Sequence, residues 1–148
     1  MAQNTFHVAL YVSDLDAAIA RYRKILGQEP AKVRKDYAKF EISDPPVILS
    51  LNTGGPAGTV SHLGIRYPST GDVASEKVRV KRENVDFLEQ QGTTCCYAKA
   101  DKFWVRDADD VPWEMYTLLE DAEAETAADQ SLRSFLGQPT VGAGGACC

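Results

Sequence analysis

Nothing in the 148 residues resembles a membrane span: no apolar run approaches the ~20 residues that a bilayer requires. Positive charge is also scarce. Sixteen Lys and Arg stand against 21 Asp and Glu, a net charge of −5, which argues against nucleic acid or an anionic membrane as the main partner. The opening MAQNTFHVALYVSDLD lacks the basic n-region and long apolar stretch of a secretory signal, so a cytoplasmic protein with reduced thiols is expected. Cysteine is sparse: four residues in two adjacent pairs, Cys95-Cys96 and Cys147-Cys148. Neighbouring thiols close a strained ring, so ligands, reactive groups or space-fillers are expected rather than disulfide staples. Histidine is scarcer still, at two residues.

What is present repeats. FHVALYV (6–12) is a short apolar run of β-formers. The next segment, SDLDAAIARYRKILG, carries Leu15, Ile19, Tyr22 and Leu26 at helical spacing. Ser13 is the expected N-cap, with Asp16 three residues on and Gly27 as the stop. EPAKVRK, YAKFEIS and PPVILSLN read as strands, with a turn at Asp44-Pro45-Pro46. After a linker, TGGPAGT (53–59), the order returns. VSHLGIRYP is a strand, 71–91 a helix closed by Gly92, and CCYAK, DKFWVRD and PWEMYTLL are three strands. The chain is therefore expected to be α+β, a duplicated βαβββ unit, with modules at about 5–53 and 60–119 forming one domain, 1–119. Residues 120–148 lie outside the repeat, as a polar helix and a Gly-rich tail.

The two histidines, His7 and His62, fall 55 positions apart, early in equivalent strands. A single strand histidine is usually packed or solvated, but two equivalent ones can converge near a pseudo-twofold axis. Alternation in Trp113-Glu114-Met115-Tyr116 sets Glu114 and Tyr116 on one face. Glu114 either faces solvent or, if buried, needs a partner or a metal. Aligning PVILSL (46–51) with PWEMYT (112–117) matches Glu114 to Ile48, which leaves three ligands. Two histidines and one carboxylate suit a non-haem metal with open coordination positions. Fe(II) fits, and Zn(II), Ni(II) or Co(II) are not excluded by residue type.

These residues resemble the vicinal oxygen chelate (glyoxalase/bleomycin resistance/extradiol dioxygenase) superfamily, over 5–119. The combination TTCCYAKADKFWVRD…PWEMY (93–116) resembles the organoarsenical carbon–arsenic lyases and the related cadmium-induced proteins. The resemblance implies a curved mixed sheet around a metal site. It implies Fe(II) on His7, His62 and Glu114, with Cys95 and Cys96 binding a trivalent organoarsenical whose C–As bond is cleaved with O2 to give arsenite. Where the family pattern suggests DPDGNPWE, this chain has DADDVPWE.

Tyr97, Lys99, Lys102 and Tyr116 are possible supporting residues, with Lys99 and Lys102 flanking Asp101 in an expected solvated turn after the cysteines. Cys147 and Cys148 are possible auxiliary thiols, or dispensable. Two modules in one chain are compatible with a monomer or a homodimer. The competing readings are a binding protein for cadmium or arsenite, and another metalloenzyme of the superfamily, such as an extradiol dioxygenase or an antibiotic-modifying thiol transferase. On a regular strand, neighbouring cysteines point to opposite faces, so chelation by both requires a bent or mobile segment there, which Gly92-Thr93-Thr94 just before the pair permits.

Overall fold

The computed structural model describes residues 2–95 and 98–121. Cys96, Tyr97, Cys147 and Cys148, and the expected helix and tail beyond residue 121, lie outside the described residues.

The first strand, β1 (Thr5–Tyr11), alternates as the sequence requires: His7, Ala9 and Tyr11 are buried on one face. Val8 and Leu10 pack on the other, against helix α1 (Leu15–Leu26). The helix is capped one residue later than expected, by Asp14 rather than Ser13. The Asp14 carboxylate accepts from the Ala17 N–H at 2.9 Å, satisfying one of the donors that a helix start leaves open. Leu15 and Ile19 are its buried residues.

Strands β2 (Lys32–Val33), β3 (Tyr37–Ser43) and β4 (Pro46–Asn52) complete the first module. The second repeats the order with β5 (Val60–Arg66), α2 (Thr70–Arg82), β6 (Leu88–Cys95), β7 (Ala98–Arg106) and β8 (Pro112–Asp121).

Helix α2 ends nine residues before the expected boundary at 91. Asn84 adopts φ 57°, a left-handed conformation that asparagine tolerates and that stops a helix. Leu88, Glu89 and Gln90 then pair with Trp104, Phe103 and Lys102. The cysteines therefore end a strand that starts at Leu88 rather than beginning a new one. The expected turn holding Lys99, Asp101 and Lys102 is instead the middle of β7.

All eight strands form one sheet, ordered β2-β3-β4-β1-β5-β8-β7-β6. The modules meet where β1 and β5 run antiparallel, and each first strand runs parallel to its own module's last. This is the paired βαβββ arrangement expected of the fold.

One face is covered by helices and apolar. Phe40, Leu49 and Leu51 pack with α1, and Phe103, Val105 and Met115 pack with Val73 and Val80 of α2. Burying such side chains contributes about 1.5–3 kcal/mol each. The opposite face buries polar groups: His7, Ser50, His62, Lys102 and Glu114 are each at most 2% exposed.

Register corrects one equivalence. Ala9 lies opposite Ser50 and Gly64 opposite Glu114, each two residues after its module's histidine. The counterpart of Glu114 is therefore Ser50 and not Ile48, which sits beside His7 itself. The hairpins agree: Lys39 faces Ser50 as Trp104 faces Glu114. The echo of Lys39-Phe40 in Lys102-Phe103 is thus two positions out of spatial register.

Candidate metal centre

His7 enters from β1, His62 from β5 and Glu114 from β8, the three strands nearest the module junction. Glu114 Oε2 is 3.7 Å from His7 Nδ1 and 3.5 Å from His62 Nε2. The imidazoles meet edge to face, with centroids 5.3 Å apart. One ligand-type atom from each residue lies within 4.8 Å of the others.

The outward atoms of the three side chains have partners and the inward ones do not. His7 Nε2 lies 2.7 Å from Ser50 Oγ, and His62 Nδ1 lies 3.1 Å from Ser61 Oγ. Glu114 Oε1 accepts from Lys102 Nζ at 3.0 Å. The three remaining atoms, His7 Nδ1, His62 Nε2 and Glu114 Oε2, are buried without hydrogen-bond partners. Buried polar atoms rarely go unsatisfied, and here three converge. With the outer nitrogens donating to serine hydroxyls, the inward nitrogens present lone pairs. This donor set fits a divalent cation, each ligand being oriented by an outer partner.

Electrostatics favour the same protonation states. Burial, then the neighbouring His62, lowers His7 to about 3. Burial pushes Glu114 upward, but Lys102, His62 and His7 together outweigh it and hold the carboxyl at about 2. At neutral pH His7 is neutral and Glu114 ionised, the forms a metal requires.

A close backbone approach seats the carboxylate. A Cβ on Gly64 would lie 2.6 Å from the Glu114 carbonyl oxygen and 3.3 Å from its Cβ, so only glycine lets β5 and β8 approach this closely.

The supporting residues divide by strand parity. Lys102 is buried under Glu114, in contrast to the expected solvated turn. Lys99 faces away and pairs with Glu120 at 3.3 Å. The Tyr116 ring lies 5.5 Å from His7 and is buried. Cys95 ends β6 opposite Ala98.

Ser50, Trp104 and Gln90 escaped sequence reasoning. Trp104 packs edge-on against His62, at 5.2 Å between centroids. Its indole N–H donates to Gln90 Oε1 at 3.1 Å, and Gln90 Nε2 is buried without a partner. The available signal was alternation: Lys102 and Trp104 share one face of β7, and that face meets Glu114.

Residues 5–115 match the Glyoxalase/Bleomycin resistance protein/Dioxygenase superfamily. The chain is 40% identical over 126 residues to a trivalent organoarsenical cleaving enzyme of Thermomonospora curvata, covering 84% of this chain and 83% of that protein. It is 37% identical over 147 residues to the cadmium-induced protein CadI of Mycobacterium tuberculosis, covering 93% and 97%. Among solved structures, an extradiol ring-cleaving dioxygenase from B. fuscum superposes with a TM-score of 0.62 at 16% identity, over 83% of this chain and 34% of that one. At that identity the likeness concerns the fold.

Proposed function

Because the chain belongs to the Glyoxalase/Bleomycin resistance protein/Dioxygenase superfamily, we propose that it cleaves the carbon–arsenic bond of trivalent organoarsenicals at a divalent metal held by His7, His62 and Glu114. The observation that carries this reading is the convergence of three unpartnered buried atoms on those side chains. The organoarsenical cleaving enzyme that is 40% identical supports the substrate class. Fe(II) suits two histidines and one carboxylate with free coordination positions, and when bound it supplies the activation of O2.

The residues of the chain do the rest. Lys102 and the two serine hydroxyls hold the ligands in their metal-accepting forms. Cys95 and Cys96 take up the substrate: two thiols exchange for the two hydroxyls of R–As(OH)2, releasing two waters and leaving the As–C bond intact. Thiolate is the soft donor that trivalent arsenic favours, and the exchange requires reduced cysteines, consistent with a cytoplasmic enzyme. Placement beside the metal and exclusion of water are the contribution of the protein. The overall reaction balances for methylarsonous acid: CH3As(OH)2 + O2 → As(OH)3 + HCHO. The As–C bond breaks, carbon gives up four electrons, O2 accepts them, and arsenic stays trivalent.

The test is turnover of methylarsonous acid by apo-protein reloaded with Fe(II), in air and under nitrogen. Arsenite and formaldehyde are expected in equal amounts, in air only. Arsenite at the same rate without O2 would overturn the dioxygenase reading, and no arsenite under either condition would overturn the lyase reading.

The paired cysteines support a second reading, a thiol trap for cadmium or arsenite. Glu114→Ala separates the two, since a trap keeps its capacity and a lyase loses turnover. An extradiol dioxygenase or antibiotic-modifying transferase would keep its activity in Cys95→Ser.

A further inference from the structure

Which position of the thiol pair comes into register with the metal face is decided in β6, before the cysteines are reached. Across the hairpin, Gln90 lies opposite Lys102, on the metal face with Trp104. Uninterrupted alternation from Gln90 would carry that face to positions 92, 94 and 96. The register instead shifts between Gln90 and Thr93. Thr93 lies opposite Ala100 and Cys95 opposite Ala98, so positions 93 and 95 align with the row Ala98, Ala100, Lys102 and Trp104. Gln91 and Gly92 together oppose one residue, Asp101. This is a β-bulge, and it sits on an edge strand, where bulges commonly re-aim a side chain.

Two features hold the bulge. Gly92 adopts φ 56°, which residues with a Cβ adopt at a cost. The Gly92 N–H, which the bulge removes from the ladder, donates to Asp101 Oδ1 at 2.7 Å. Asp101 itself lies on the helix-covered face, alternating with Ala100 and Lys102.

We propose that Asp101 is a positioning residue for the arsenical-binding thiols: by accepting the Gly92 N–H it holds the bulge that brings position 95 into register with the metal face. This rests on the thiol reading of the proposed function and adds to it a residue that touches neither substrate nor metal.

The experiment compares wild type, Asp101→Ala, Asp101→Asn, Gly92→Ala and Cys95→Ser. Phenylarsine oxide affinity is read from tryptophan fluorescence, and Ni(II) affinity of the same apo-proteins from calorimetry. Asp101→Ala is expected to weaken phenylarsine oxide binding about tenfold, the scale of one charge-assisted hydrogen bond, with Ni(II) affinity unchanged. Asp101→Asn, which keeps the carbonyl acceptor, is expected to recover most of the loss. Gly92→Ala is expected to behave like Asp101→Ala.

Wild-type phenylarsine oxide affinity in Asp101→Ala would overturn the proposal. So would failure of Asp101→Asn to recover, or parallel loss of arsenical and Ni(II) affinity in both Asp101→Ala and Gly92→Ala, which marks a merely structural role. Unchanged binding in Cys95→Ser would overturn the thiol reading instead, so the two failures are distinguishable.

Discussion

The two modules share a backbone plan and divide the chemistry unequally. At the register position two residues after the histidine, the first offers Ala9 opposite Ser50 and the second Gly64 opposite Glu114. The first contributes a neutral candidate ligand, His7, and a hydroxyl beside it. The second contributes His62, a carboxylate, a buried lysine, the indole against His62 and the β6 strand ending at Cys95. Duplication supplies two equivalent frames around one axis, and a single carboxylate is enough to make the centre asymmetric. Where the second module crowds a charge and a close backbone contact into the junction, the first keeps an ordinary packed sheet.

The largest effect should come from removing the carboxylate. Glu114→Ala leaves Lys102 buried without its anion, and loss of one partner of a buried pair costs about 3–5 kcal/mol. Urea denaturation of the apo-protein should show that loss, and calorimetry should show no Ni(II) binding.

Lys102→Met breaks the pair from the other side and should cost roughly 2–3 kcal/mol, less because Glu114 can neutralise itself by taking up a proton. Added Ni(II) should then raise the melting temperature more in the variant than in wild type, since the cation replaces the missing charge. An equal rise in both would show that Lys102 is not the counter-charge of Glu114.

Gly64→Ala should destabilise by about 1–3 kcal/mol through overpacking against Glu114. Ala9→Gly, at the matching position, should cost only about 0.5–1 kcal/mol. Equal losses in thermal melts would erase the distinction between the two junction strands.

Ser50→Ala should have the smallest effect on folding, about 1 kcal/mol for one hydrogen bond to a neutral ring. It should lower Ni(II) affinity by roughly tenfold, since outer partners typically set ligand orientation.

The duplicated order, the pairing of His7 with His62 and the face of Glu114 were all legible in the sequence, because strand alternation and equivalent spacing are local facts. The end of α2 was not. Leu88 to Gly92 carries no marker that separates a fading helix from a strand, and pairing with β7 decides it. The parity of β6 was hidden for the same reason: it turns on a bulge held by an aspartate nine residues away. Lys102 was misplaced because a lysine next to an aspartate, with a second lysine three residues earlier, ordinarily marks a solvated turn. Only the ion pair with Glu114, twelve residues on and diagonal to it across the hairpin, makes it a core residue. Ser50 was missed because matching the motifs by prolines aligned the hairpins two positions out of spatial register.

The ion pair between Lys102 and Glu114 bears on when the proposed metal would enter the site. Lys102 cancels the charge of Glu114, and His7 is neutral at physiological pH, so the buried polar face folds with its carboxylate already compensated. A face compensated in this way does not depend on a cation to offset the charge of Glu114 as it folds. On the proposed reading, metallation would be an encounter with a finished receptor, governed by the exchangeable metal pool of the cell and not by the moment of synthesis.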